Sequence, residues 1–457
     1  MRKKALLALM MAAVLLLSGC ALIQKDQAVD NATEIIRMGD KVYTKIQVKA
    51  AAQQELINRA NTYSMLNYAY DMTDPANIAE AQEAAVKALK EDLTLTAKAA
   101  ELGFDQLTDE ELEAVKAKAQ ESYDNMVNTA KQYVEGKDEM DEAALTEAAV
   151  KMAEDAGYTM ENRTESATKD AVSAKLKEYA VKDVAVTDEE IQAEYDSKVE
   201  SNKETYAENA ASWAAAANNG YTTLYYTPAG VRRVKQILVK FTEEDQTAIK
   251  DANTKLSDAN TARTAAQDKV DAAQKVLDTE GITDEEKTKA EADLTAAKQE
   301  LDEADKALLA ANQAVTDATE KAFANIDEKA DTVVAQLAEG GDWQKLTDEY
   351  NEDTGMKDNE KGYAVAAGMS GFDAAFVDAA MALEKIGDVS PKTKGQYGYY
   401  IIRYESDEAE GPVALETLKE TISSSLLNTK QNDTYKATLA QWVEEAGIKV
   451  DMNALKD

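Results

Sequence analysis

Three short acidic runs stand out as candidate chemistry: Thr108-Asp-Glu-Glu111, Thr187-Asp-Glu-Glu190 and Thr283-Asp-Glu-Glu286. Grouped carboxylates can hold a hard cation. Each run also has capping-box spacing, however, with a Thr three residues before a Glu and acidic side chains in the first turn, where they complement the helix dipole. The helix-start reading is adopted for all three. The rest of the inventory is narrow. The 457 residues include no His and a single Cys, Cys20, so Ser-His-Asp and Cys-His catalysis and the common zinc sites are excluded. Chemistry is left to carboxylates, hydroxyls, backbone groups and shape, and no cofactor or metal is expected.

Charge and the amino terminus narrow the setting. With 86 acidic against 51 basic residues the net charge is −35, which repels nucleic acid and anionic headgroups and offers no basic stripe to either. Arg2, Lys3 and Lys4 precede the uninterrupted apolar run Ala5 to Leu17, and LSGC follows, ending at Cys20. Thirteen apolar residues are too few for a permanent span of ~30 Å of hydrocarbon but suit a signal peptide. The small residues before Cys20 resemble a bacterial lipobox, which implies removal of residues 1–19, acylation of Cys20 and an extracytoplasmic, membrane-tethered protein. The alternative is an ordinary secretory signal with a chance cysteine.

The elements that would position any site follow from periodicity. Residues 20–34 are polar and read as a tether. IIRMGDKVYT alternates around Gly39-Asp40 as a short hairpin, and Thr44 is placed to open a helix. Helical patterning then runs to about residue 205. RRVKQILVKF, residues 232–241, reads as a strand, but no second strand follows it. Instead Ile249, Leu256, Val270 and Leu277 lie with interleaved Ala on one seam, and Leu294, Leu301, Leu308 and Val315 on another. Both keep heptad spacing over about four repeats, which predicts a coiled coil. The short turn at Asp278-Thr-Glu-Gly281 makes the two arms antiparallel. At 1.5 Å per residue the hairpin is roughly 50 Å long.

The segments on either side of this excursion carry a resemblance. Gln236-Ile-Leu238, Gly340-Gly-Asp-Trp343, Tyr350-Asn-Glu-Asp353, Phe376-Val-Asp-Ala379, Gly387-Asp-Val-Ser390 and Tyr397-Gly-Tyr-Tyr-Ile-Ile402 follow one another in the order of a parvulin-type peptidyl-prolyl isomerase domain. The opening ATEIIRMGDKVYTKIQV, the helix at VTDEEIQAEYDSKV and the C-terminal helix at about 413–446 with GIKVD resemble PrsA- and SurA-type extracytoplasmic foldases. The implied fold class is α+β and mostly helical. A helical chaperone-like domain over 35–228 would be followed by a parvulin-like domain over 229–406, a four-stranded antiparallel sheet with helices. The coiled-coil hairpin would interrupt that domain at about 243–325, and residues 407–457 would return to complete the N-terminal domain.

The resemblance also implies a site. Phe372 and Phe376 would line an apolar cup for the proline ring, and Asp353 would lie beside the twisting carbonyl. Gln236 and Tyr400 replace the two family histidines; both can still donate and accept hydrogen bonds, so a neutral network across the site floor is expected. The run Gly362-Tyr-Ala-Val365 departs from the family's Gly-x-Leu-Gly, and two extra residues lie near Lys394-Gly395. Phe372 and Phe376 also fit simple core packing, and Asp353 fits a solvated helix-terminal carboxylate. The expected function is a lipid-anchored foldase that isomerises X-Pro bonds in unfolded or partly folded exported proteins. The alternatives are a non-catalytic holdase with a degenerate parvulin domain, and an envelope scaffold whose hairpin docks a protein partner. No nucleic-acid partner is expected.

Overall fold

The computed structural model describes residues 27–357 and 359–455. The expected signal segment and Cys20 lie outside the described residues. The chain forms two compact units, one running to Val186 and taking in Ser424–Asp457, the other Thr187–Ser423.

In the first unit a short helix α1 (Gln27–Asn31) leads into β1 (Glu34–Met38) and β2 (Lys41–Thr44). The two strands pair antiparallel, with Met38 opposite Lys41, across a turn in which Gly39 has φ of 59°. The tether expected over 20–34 is therefore too long. Residues 27–34 are ordered, because Asp30 pairs at 3.0 Å with the fully buried Lys45. Helix α2 (Lys45–Met65) opens at Thr44 with a capping box closed by Gln47. Helices α3 (Pro75–Leu102), α4 (Asp109–Lys131), α5 (Glu142–Asp155) and α6 (Met160–Val181) follow. The box at Thr108 forms, with Glu111 accepting from the Thr108 amide at 2.7 Å.

The second unit begins with α7 (Asp188–Tyr206), capped by the Thr187–Glu190 box, and α8 (Ala210–Asn219). These two helices were expected in the N-terminal domain. They join the second unit because Trp213 and Ala214 are buried in the same cluster as Phe376, and Asn218 bonds the backbone of Ala364 through both its amide groups at 2.8 Å. The boundary thus falls near residue 187 rather than 228. After β3 (Tyr226–Thr227) comes β4 (Arg232–Lys240), and the chain then leaves the sheet through α9 (Glu243–Leu277) and α10 (Asp284–Ala338). Cross-arm bonds Asp245–Asn325, Arg263–Asp305 and Lys269–Glu300 set the antiparallel register.

Helix α10 does not stop where the insertion was expected to end. It continues to Ala338 as one 55-residue helix, and Ala322 and Phe323, assigned to the hairpin, are buried in the sheet's core. Phe323 meets Phe241 edge-on at 4.8 Å and Tyr399 at 5.0 Å. After α11 (Trp343–Tyr350) come β5 (Tyr363–Val365), α12 (Ala374–Met381), β6 (Thr393–Gly395) and β7 (Gly398–Asp407). They complete an antiparallel sheet in the order β5-β4-β7-β6, with Gln236 opposite Ile402 and Leu238 opposite Tyr400.

Because side chains alternate across a strand, β4 and β7 divide their residues between two faces. Val234, Leu238, Tyr400 and Ile402 pack with α12 and Trp213; Ile237, Val239, Tyr399 and Ile401 pack with α10 and α11. The second unit extends past the expected limit at 406, since β8 (Gly411–Pro412) pairs with β3 and Val413 accepts from the Tyr195 hydroxyl. Helix α13 (Leu415–Glu445) then begins in this unit and ends in the first, where β9 (Lys449–Val450) adds to β1 with Ile36 opposite Val450.

Candidate prolyl site on the α12 face of the sheet

Gln236 sits mid-strand in β4, on the α12 face, and is 7% exposed. Its Nε2 donates to Asp353 Oδ2 at 2.7 Å, and the Tyr363 hydroxyl donates to the same oxygen at 3.0 Å. The other oxygen accepts from the Gly355 amide at 2.9 Å. Asp353 is thus the cap of a short 3-10 turn (Thr354–Met356) and also a receiver of two side-chain donors. Gln236 Oε1 is buried and has no protein partner. An acceptor left this way in a buried site is costly unless something else supplies a donor.

Tyr400 does not join that network. Its hydroxyl donates to Asp373 Oδ2 at 3.0 Å, and the Gln396 amide donates to the same oxygen. Asp373 also caps α12, its Oδ1 accepting from the Ala375 amide at 3.0 Å. The single neutral network expected between Gln236 and Tyr400 is therefore replaced by two separate carboxylate centres, because each residue finds an aspartate nearer than the other. Burial first, and then the neighbouring carboxylate, pushes both the Tyr363 and Tyr400 hydroxyls well above the usual phenol range, so both stay protonated donors.

The extra residues near Lys394-Gly395 now have a structural role. They form the short strand β6, with Thr393 opposite Tyr400. A Cβ placed on Gly395 would lie 2.0 Å from the Tyr400 ring and 2.5 Å from the Asp373 carboxylate. Only glycine lets Tyr400 cross there to reach Asp373.

Between the two carboxylates lies an aromatic group. Phe372 and Phe376 stack with centroids 5.7 Å apart and planes 23° from parallel. Tyr363 meets Phe372 edge-on at 5.1 Å, and Tyr400 meets Phe376 at 5.6 Å. Phe376 is 2% exposed and belongs to the core, whereas Phe372 is only half-buried and presents apolar surface. The structure thus brings together Gln236, Asp353, Phe372, Phe376 and Tyr400, and adds Tyr363 and Asp373. Those two were missed. Asp373 carried a signal in the sequence, an Asp directly before the short apolar helix that opens Ala-Ala-Phe. Tyr363 carried only its place after Gly362 in the run that departs from the family pattern.

Residues 308–406 match the family model of the PPIC-type PPIase (rotamase) domain. This segment carries most of a parvulin domain. The match begins inside the second arm of the hairpin, so it omits β4, the strand that the insertion separates from the rest of the parvulin sheet. Two similar proteins extend the likeness. The foldase protein PrsA 2 of Listeria monocytogenes is 35% identical over 130 residues, which is 28% of this chain and 43% of that protein. The foldase protein PrsA of Clostridium kluyveri is 31% identical over 123 residues, 27% of this chain and 36% of that protein. The chain thus spans less than half the length of these curated relatives. The crystal structure of a foldase protein PrsA from Streptococcus pneumoniae aligns with 93% of this chain and 97% of its own at 16% identity, with a TM-score of 0.24.

Proposed function

We propose that the chain is an extracytoplasmic foldase whose parvulin domain isomerises X-Pro bonds in exported proteins. The observation that carries this reading is the placement of a half-exposed apolar face, Phe372 over Phe376, between two hydrogen-bonded aspartates in a domain of PPIase type. Isomerisation needs loss of amide resonance against a barrier of ~18–20 kcal/mol, and it needs neither a nucleophile nor a proton taken from carbon. An apolar surface that holds the proline ring while the preceding carbonyl turns through a polar, preorganised environment is sufficient in kind.

In this reading Phe372 and Phe376 receive the ring. Asp353, fixed by Gln236, Tyr363 and the Gly355 amide, lies beside the turning carbonyl, and the buried Gln236 Oε1 is free to accept a hydrogen bond from the bound peptide. Tyr400, held by Asp373, closes the other side. Absence of histidine is compatible with this, since every donor named is neutral. The test is isomerisation of a short prolyl peptide, followed beside suppression of aggregation of an unfolded protein. Acceleration that falls at least about tenfold in Phe372→Ala supports the reading; aggregation suppression without any acceleration favours the non-catalytic holdase.

The chain is further proposed to be lipid-anchored through Cys20. Among the described residues no helix is long and apolar enough to cross a membrane. The LSGC sequence after thirteen apolar residues is the feature that supports an anchor. Membrane fractionation of the wild type against Cys20→Ser tests it: release of the variant, or accumulation of its uncleaved precursor, is expected. A soluble, processed wild type overturns the anchor.

A further inference from the structure

The connection between α2 and α3 displays apolar side chains that are exposed among the described residues. Met65 is 83% exposed, Tyr68 69%, Leu66 62% and Tyr63 45%. Monomeric proteins rarely expose such side chains contiguously without a use for them. This display is built, not frayed. Asn67, with φ of 59°, ends the helix, its amide donating to Ser64 and the Tyr68 amide to Tyr63. Tyr70 and Met72 turn inward and pack on the Ala52, Leu56, Ala81 and Ala85 cluster, and the Tyr70 ring lies 5.0 Å from that of Tyr63. Asn77 donates to the Asp71 carbonyl at 2.7 Å, closing the loop.

The unpaired charge that flanks the patch along the chain is acidic. No Lys or Arg occurs between Arg59 and Lys87, while Asp71, Asp74, Glu80 and Glu83 fall in that interval. Arg59 is itself neutralised by Glu55 and Glu80, each at 2.8 Å. Hydrogen bonds from the Thr73 hydroxyl and amide hold Asp71 below the usual carboxylate range, so it remains charged in mild acid.

We infer that this loop is a docking surface for apolar segments of unfolded polypeptide flanked by Lys or Arg. The Tyr and Met side chains supply adaptable contact area, and their fixed presentation lowers the ordering cost of binding. The acidic rim selects basic flanks and repels anionic lipid. The inference rests on the foldase reading for the claim that unfolded chains are the partners.

The test compares the full chain with a Met65→Ser, Leu66→Ser, Tyr68→Ser variant, using two fluorescent peptides that lack proline and share one Leu/Phe core, flanked by Lys in one and by Glu in the other. The wild type is expected to bind the Lys-flanked peptide at least about tenfold more tightly than the Glu-flanked one, with the gap closing at high salt. The variant is expected to lose at least about tenfold in affinity for the Lys-flanked peptide while its thermal unfolding and prolyl isomerisation are unchanged. Equal binding by variant and wild type overturns the inference, as does preference for the Glu flanks or failure of the wild type to bind either peptide. A wild-type dimer in sedimentation, or partition into phosphatidylglycerol vesicles, that the variant abolishes also overturns it. Isomerisation, read in the same samples, reports separately on the foldase reading.

Discussion

The two faces of the parvulin sheet are built from the same strands but carry different kinds of residues. On the α12 face the even-numbered positions of β4 and β7 carry Gln236 and Tyr400, each bonded to a different aspartate, with an apolar aromatic surface between them. On the opposite face the odd-numbered positions are Ile237, Val239, Tyr399 and Ile401, sealed by α10 and α11. The long helical excursion enters and leaves on this second face. Insertion and site are thus separated by the thickness of one sheet, which explains how a chain can add about eighty residues beside its first strand and leave the opposite face intact. Loop-closure entropy does not oppose this strongly, because the hairpin brings its own ends together.

The largest effect should come from cutting the hairpin in the wrong place. Replacing residues 243–325 with a Gly-Ser linker removes Phe323, Ala322 and the Asp245–Asn325 pair, all of which belong to the base on the α10 face. Loss of cooperative unfolding in calorimetry is expected. Removing only residues 257–312 keeps the base in register and should leave a cooperative transition. If both shortened chains fold equally well, the base is not part of the core and the distinction between hairpin and helix is wrong.

Point substitutions sharpen the same contrast. Phe323→Ala leaves a cavity between Phe241 and Tyr399 and should cost about 3–5 kcal/mol in denaturant unfolding, with the isomerisation rate of the folded fraction nearly unchanged. Phe376→Ala should cost a similar amount and also depress the rate, since Phe376 supports Phe372 from beneath. Phe372→Ala should depress the rate for about 1–2 kcal/mol of stability or less, because its ring is only partly buried. A rate lost in Phe323→Ala as severely as in Phe372→Ala would mean that the faces are coupled.

The sequence displayed much of this architecture because the strongest signals are local. Heptad seams, Thr-Asp-Glu-Glu starts and the alternation of VKQILVKF each need only a few neighbouring residues, and the ordered parvulin segments located the sheet around the excursion. Domain limits were harder to see. Nothing in AASWAAAANN announces that Trp213 will be buried beside Phe376, or that Asn218 will cap the edge of β5. The end of the insertion was equally hidden, since α10 passes from coiled-coil arm to sheet-packing helix without a break in periodicity. In the candidate site, the ordered segments pointed to residues that lie near one another, while Tyr363 and Asp373 had no such cue. Their roles depend on partners 10 and 27 residues away in sequence, Asp353 and Tyr400, and no spacing rule links such pairs.

A smaller effect distinguishes the two carboxylate centres. Tyr363→Phe removes one of the two side-chain donors to Asp353 and should cost about 1 kcal/mol in stability, with a few-fold fall in rate. Tyr400→Phe leaves Asp373 held by the Gln396 and Ala375 amides, so the carboxylate stays in place and the rate should fall less. The reverse order would shift the site's centre from Asp353 towards Asp373.

The smallest effect is in the pH response, and it again separates the faces. With no imidazole in the chain and both site phenols raised, no histidine-like inflection in isomerisation is expected between pH 6 and 8. On the other face Tyr399 is pushed up to about 12, by burial first and then by its 2.7 Å bond to Asp327. An unfolded phenol releases its proton near ~10. Between these values the unfolded state has lost a proton that the folded state keeps, so the stability tied to Tyr399 is complete below pH 10 and disappears as the pH rises towards 12. Denaturant midpoints of the wild type should therefore fall through that window, and Tyr399→Phe should flatten the fall while leaving the neutral-pH isomerisation rate alone. Tyr400→Phe should flatten it too, since its pKa shift has the same sign, but should also alter the rate. If Tyr399→Phe changes the rate as much as Tyr400→Phe does, the one-sheet separation between structural and functional tyrosines fails.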